Sequence, residues 1–119
     1  MNPPLTPSPP GVIVSITTSG TSTAGKTYSL ECSATVTGSA DQPTIIWLHD
    51  GDEITPNDTT RMAFPTTLRS SSIYFCIIRF YPLLTSHAGT YTCTATVESV
   101  VESTTVVVTL QSECLLQVL

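Results

Sequence analysis

Basic residues are scarce in this chain. Lys26, Arg61, Arg69 and Arg79 are its four Lys and Arg, against nine Asp and Glu, for a formal net charge of −5 over 119 residues. They are scattered along the sequence. The chain therefore lacks the basic footprint that nucleic acid demands, and the patch that an anionic membrane surface attracts. There is no C-x-x-C pair and only two histidines, His49 and His87, are present, so no zinc-ligand spacing exists. No Gly-rich phosphate loop and no heptad occur. Met1 is followed by Asn2-Pro3-Pro4, with no apolar core of a secretory signal. No run approaches the length of a membrane span, and direct membrane insertion of this segment is not expected. These absences leave two readings, a piece of a longer extracellular or cell-surface protein or a cytosolic one. The piece is the expectation, and a disulfide reading of the cysteines implies an oxidising compartment.

What the chain does hold is Thr, Ser and β-branched residues, which suit a pleated, half-buried surface. Its length sets one domain with a two-layer core, small enough for one buried staple to matter. Residues 1–10 are half proline and read as an extended Pro-rich linker. Residues 11–111 hold short alternating segments and form the domain. The apolar stretch 112–119 is a C-terminal tail.

Alternation places the strands, because strand side chains repeat every two residues. Val12, Val14 and Ile16 share a face of the first, with a turn-rich connection from Ser19 to Lys26. Thr27 to Val36 puts Tyr28, Leu30, Cys32, Ala34 and Val36 on the inner face. Ile45 to His49 follows, closed by a tight turn at Asp50-Gly51. Trp47 and Ile45 then face inward, while Ile46 and Leu48 face the other side. Short strands are expected at Asp52–Ile54 and Arg61–Phe64. Ile73 to Leu84 is continuously apolar and too long for one strand. A break or bulge is expected near Cys76–Ile77, and Pro82 ends the ladder. Ile78, Phe80 and Leu83 are core candidates. Tyr91, Cys93, Ala95 and Val97 face inward on the next strand. Val106, Val108 and Leu110 share a face of the last, Thr104 to Leu110. Without a convincing amphipathic helix, this pattern predicts an all-β antiparallel sandwich of about seven to nine strands.

The four cysteines, Cys32, Cys76, Cys93 and Cys114, allow three full pairings. Asn57-Asp58-Thr59 is a sequon on a polar loop, and Asn57 is a candidate N-glycosylation acceptor. Asp50, Asp52 and Glu53 cluster in one turn, where a solvated acidic turn is favoured over a weak calcium site. No Cys-His pair has an oxyanion turn or a third member beside it. No catalytic residue, no cofactor and no metal ligand is therefore assigned.

The succession Cys32, Trp47 and Tyr91-x-Cys93 resembles the immunoglobulin superfamily, in an intermediate-set or V-like form. Trp47 to Gly51 resembles its W-x-x-x-G, and His87-x-Gly89-x-Tyr91-x-Cys93 resembles its D-x-G-x-Y-x-C. The resemblance spans residues 11–110 and suggests one repeat of a multi-immunoglobulin extracellular surface protein with a Greek-key sandwich. It implies a Cys32–Cys93 disulfide between the sheets with Trp47 packed on it. It also implies a tight turn at Gly89, and a Tyr91 hydroxyl bonded to backbone a few residues upstream. His87 stands where the family usually has Asp. That removes the carboxylate for an ion pair with Arg61, and a local hydrogen bond is expected instead. Cys76 and Cys114 are not family cysteines. They are expected on different sheets or outside the fold, as thiols or in intermolecular links.

The function implied is a non-catalytic module for protein recognition or cell adhesion within a receptor-like or multi-immunoglobulin protein. Its partners are a protein ligand or neighbouring immunoglobulin domains, with homophilic contact among the options. The alternative is a structural spacer in a repeat array, with an intracellular site and reduced cysteines. Candidate contact surfaces are Gly38–Pro43, Asp50–Glu53 and the connection Glu98–Ser103.

Overall fold

The structure is a computed structural model that describes residues 9–54, 61–63 and 66–111. Among them, nine strands form two antiparallel sheets. The strands are β1 (Gly11–Gly20), β2 (Tyr28–Thr37), β3 (Thr44–His49), β4 (Asp52–Glu53), β5 (Arg61–Ala63), β6 (Thr67–Ser70), β7 (Ile73–Phe80), β8 (Gly89–Val97) and β9 (Val100–Val108). One sheet runs β1-β2-β7-β5, with β6 also on β7, and the other runs β4-β3-β8-β9. The chain changes sheet between β2 and β3, between β4 and β5, and between β7 and β8. This is the Greek-key connectivity of an immunoglobulin-like sandwich.

Alternation explains the layers. Along β2 every second residue is buried, from Tyr28 through Leu30, Cys32 and Ala34 to Val36. Along β8 the same period buries Tyr91, Cys93, Ala95 and Val97. The facing rows meet with Trp47, Ile78, Phe80 and Leu83 in one core. Each large apolar side chain buried there contributes roughly 1.5–3 kcal/mol against the entropy of ordering the chain.

Three expectations are corrected. β1 runs on to Gly20, with Ser19 opposite Ser29 and Gly20 opposite Tyr28, so its turn begins later than the composition indicates. β7 has no break at Cys76–Ile77. Its register against β2 is continuous from Ile73 to Phe80. The strand is laddered between β2 on one side and β5 and β6 on the other, with Cys76, Ile78 and Phe80 buried on its inner face and Phe75 and Ile77 half-buried on its outer face. The irregularity falls on the partner instead: β6 shifts register between Leu68 and Ser70, and β5 pairs separately with the end of β7. Finally, β9 begins at Val100 rather than Thr104. Val97 pairs with Val100 across a two-residue turn in which Glu98 takes a φ of 54°. The connection Glu98–Ser103 is therefore mostly strand. The turn was illegible because neither of its residues is Gly, Asn or Asp.

Main-chain bonds close one end of the sandwich. The Gly25 N–H donates to the Leu83 carbonyl and the Leu83 N–H to the Lys26 carbonyl, both at 2.8 Å. The β1–β2 connection also reaches the end of β9. Thr23 makes a parallel bridge with Gln111, and the Ser22 hydroxyl donates to the Thr109 carbonyl.

Candidate functional site

The centre of the molecule is a cluster of three cysteines and one tryptophan. Cys32 on β2 and Cys93 on β8 are joined by a disulfide with Cα atoms 6.3 Å apart, closing a separation of 61 residues. In the loop-entropy description, closing so long a loop is worth about 4 kcal/mol. Trp47 lies beside Cys93 in the β3–β8 register and is buried. Its indole N–H donates to the Cys76 carbonyl at 3.1 Å, tying β3 to the opposite sheet. Cys76 lies on β7, in the same sheet as Cys32 and directly opposite it. It holds a buried thiol, and that burial pushes the thiol up to about 11 despite a hydrogen bond from Trp47. Cys114, which was expected on another sheet or outside the fold, lies outside the described residues, as does the sequon residue Asn57.

Below this cluster the chain turns into β8 through a short 3-10 turn, Thr85–His87. Here the departure from the family motif has a definite structural answer. His87 is buried, and its Nδ1 accepts the Leu84 backbone N–H at 2.9 Å. The Tyr91 hydroxyl donates to the His87 carbonyl at 2.6 Å, four residues upstream. Phe80 packs edge-on to Tyr91 and tilted against the His87 ring. An imidazole that accepts a hydrogen bond and stacks is a better buried group than a charged carboxylate without a partner. The Arg61 side chain lies outside the description.

A carboxylate does act at this end, but it comes from another strand. The turn between β3 and β4 places Asp50 and Gly51 at φ 50° and 92°. The Asp50 N–H donates to the Thr90 carbonyl, and Asp50 Oδ1 accepts the Thr90 N–H, both at 2.8 Å. His49 Nε2–H donates to the Ala88 carbonyl at 2.9 Å, and the ring stacks on Tyr91 at 4.4 Å. Gly89 is enclosed by this clamp. A Cβ there would sit 2.7 Å from one Asp50 oxygen and 2.8 Å from His49 Nε2, at a φ of 140° that side chains rarely adopt. Gly89 is thus the first residue of β8, at a positive φ directly after the Thr85–His87 turn, and a point of close approach. Of the acidic cluster, Asp50 is occupied as a backbone acceptor. Among the described residues no group of three or more His, Cys, Asp or Glu could hold a metal ion.

The outward face of the four-stranded sheet is mostly threonine and aliphatic side chains. β3 presents Thr44, Ile46 and Leu48, and β8 presents Thr90, Thr92, Thr94 and Thr96. β9 presents Val101, Ser103, Thr105 and Val107, of which Val101 is 57% and Val107 63% exposed. Thr94 and Ser103 share a hydrogen bond across this face at 2.9 Å. The one acidic side chain on it, Glu53, stands at the β4 edge opposite Leu48. The outer face of the other sheet carries Glu31 and Arg79 instead, beside a shallow groove over Ser29. Sequence parity located Ile46, Leu48 and the threonines. It missed Val101, because the β8–β9 turn was misplaced.

The family described as "Immunoglobulin domain" matches residues 9–96. No curated protein sequence matches at a significant level. Among solved structures, an I-band fragment from titin is similar at 18% identity and a TM-score of 0.63, with 87% of this chain and 33% of that one covered. Dpr2 in complex with DIP-Theta is similar at 14% identity and a TM-score of 0.65, covering 81% and 31%. The N-terminal eight immunoglobulin domains of Down Syndrome Cell Adhesion Molecule are similar at 22% identity and a TM-score of 0.63, covering 85% and 14%. The chain thus spans a third or less of each of these chains, and at such identities the likeness is one of fold.

Proposed function

The chain belongs to the immunoglobulin domain family, and on that premise we propose that it is a non-catalytic module for protein recognition or adhesion in a larger extracellular or cell-surface protein. The observation that carries this reading is the outward face of the β3-β8-β9 strands, where rows of threonine lie beside exposed Val101 and Val107 and the acidic Glu53 stands only at the β4 edge. A contact over β3, β8 and β9 that leaves Glu53 at its rim removes apolar area from water without stranding a charge. Its partner is a protein surface of similar character, such as a neighbouring immunoglobulin domain or a second copy. The likeness to Dpr2, whose immunoglobulin domains are bound to those of DIP-Theta, supports a partner of that class. The Cys32–Cys93 disulfide supports an oxidising compartment. We assign the domain to residues 11–111, the linker to 1–10 and the tail to 112–119, with Asn57 as a glycan acceptor.

A second reading, a spacer in an intracellular repeat array, draws support from the likeness to the titin I-band fragment. Alkylation of protein taken from its native cells without reductant separates the two. The extracellular reading expects Cys32 and Cys93 protected and is overturned if both are labelled. The recognition face is tested by sedimentation and surface binding of the domain to itself and to the flanking domains of its own polypeptide. Val107→Lys, at an exposed site that leaves the core intact, should weaken that contact at least several-fold. Unchanged binding would remove the face from consideration.

A further inference from the structure

Cys32 has two sulfur neighbours. It is bonded to Cys93 across the sandwich, and within its own sheet it stands directly opposite Cys76. Cys32 is fully buried and Cys76 is 5% exposed, both on positions that alternate with outward-facing residues, so they share the inner face. Directly opposed residues in an antiparallel pair have Cα atoms about 4.5–5.5 Å apart. Disulfides span Cα separations of about 4.4–6.8 Å. The backbone at Cys32 and Cys76 is therefore already within bridging distance, and Cys76 holds a thiol.

We propose that Cys76 is a second disulfide partner for Cys32, reached by exchange inside the core. The Cys76 thiolate attacks Cys32 Sγ. The Cys32–Cys76 bond forms as the Cys32–Cys93 bond breaks, the electron pair leaves on Cys93 Sγ, and that sulfur takes up the proton Cys76 gave up. One disulfide and one thiol exist before and after, so no oxidant or reductant is consumed. The inter-sheet staple becomes a link between β2 and β7, strands that their own ladder already joins. The two sheets then lose their covalent link and are held by packing, by the Trp47 bond to the Cys76 carbonyl and by the bonds of Ser22 and Thr23 to the end of β9.

The closed fold restrains this rearrangement. Burial holds the Cys76 thiol protonated at neutral pH, and only the thiolate attacks. Exchange therefore accelerates when the pH rises toward that of the buried thiol, or when the sandwich opens locally. A cysteine that merely fills core volume would do neither.

The tryptic map suits the test. Cleavage after Lys26, Arg61, Arg69 and Arg79 leaves Cys32, Cys76 and Cys93 on separate peptides. The full chain carrying Cys114→Ser is held in sub-denaturing urea at neutral pH and between about pH 9 and 10. It is then acid-quenched, alkylated and digested without reduction. The expected result is that label moves from Cys76 to Cys93 as the pH rises. A Cys32–Cys76 linked peptide should appear in several-fold excess over Cys76–Cys93. In a Cys76→Ser variant, Cys93 should stay unlabelled under the same conditions. Label confined to Cys76 throughout, equal amounts of the two new links, or label on Cys93 in the Cys76→Ser variant would each overturn the proposal.

Discussion

Asp50 and Thr90 are bound to each other twice. The Asp50 N–H reaches the Thr90 carbonyl and the Asp50 carboxylate takes the Thr90 N–H, both at 2.8 Å. The turn after β3 is thereby fastened to the start of β8, beside the point where the family motif usually has its own Asp. Asp50→Ala should lower stability by about 1–2 kcal/mol, from the lost charge-assisted bond and from a left-handed backbone that Ala adopts poorly. Asp50→Asn keeps an oxygen acceptor and tolerates that backbone, so it should recover most of the loss. Urea midpoints of the two variants give the comparison.

Gly89 is fixed by contact as well as by conformation. Gly89→Ala should cost about 2–4 kcal/mol, since it combines an unfavourable φ with a Cβ driven against Asp50 and His49. Gly25 makes a clean control, because its φ of 88° is also positive but a Cβ there meets nothing within 4 Å. Gly25→Ala should cost about 1 kcal/mol. Equal losses at the two sites would mean that the clamp around Gly89 yields.

The Tyr91 hydroxyl and the His87 carbonyl form a buried pair at 2.6 Å. Tyr91→Phe leaves that carbonyl without its donor and should cost about 1–3 kcal/mol, with the fold retained. The measurement is thermal or urea unfolding of wild type and variant.

Cys76 gives a pH dependence. Its folded value is raised to about 11 from 9.0, by burial. The stabilisation is therefore complete below about pH 9 and is lost as the pH climbs to about 11. Two units correspond to about 3 kcal/mol. Other groups titrate in that window, so the informative quantity is the difference between wild type and Cys76→Ala. The variant's stability should fall less steeply over the same range, and parallel profiles would contradict the burial described here.

Strand parity made most of the frame legible. Tyr28, Leu30, Cys32, Tyr91, Cys93 and Val97 sit on the inner faces that alternation assigns them. Two kinds of feature were hidden. The β8–β9 turn uses Glu98 at positive φ, and no local rule flags that residue for such a role. The unbroken β7 owes its continuity to neighbours on both sides, which a linear apolar run does not reveal.

The sequence alone determined which residues face the core, because a period of two converts side-chain type directly into a face. It also determined the kind of fold, through the order of Cys32, Trp47, Tyr91 and Cys93. Only the tertiary structure decided how segments distant in the chain are matched. The carboxylate that serves β8 is Asp50 from the β3–β4 turn, His87 is a buried acceptor, and Cys76 stands opposite Cys32. Register and sheet order set these relationships. Both depend on how two layers pack together, and no periodicity within one strand encodes that.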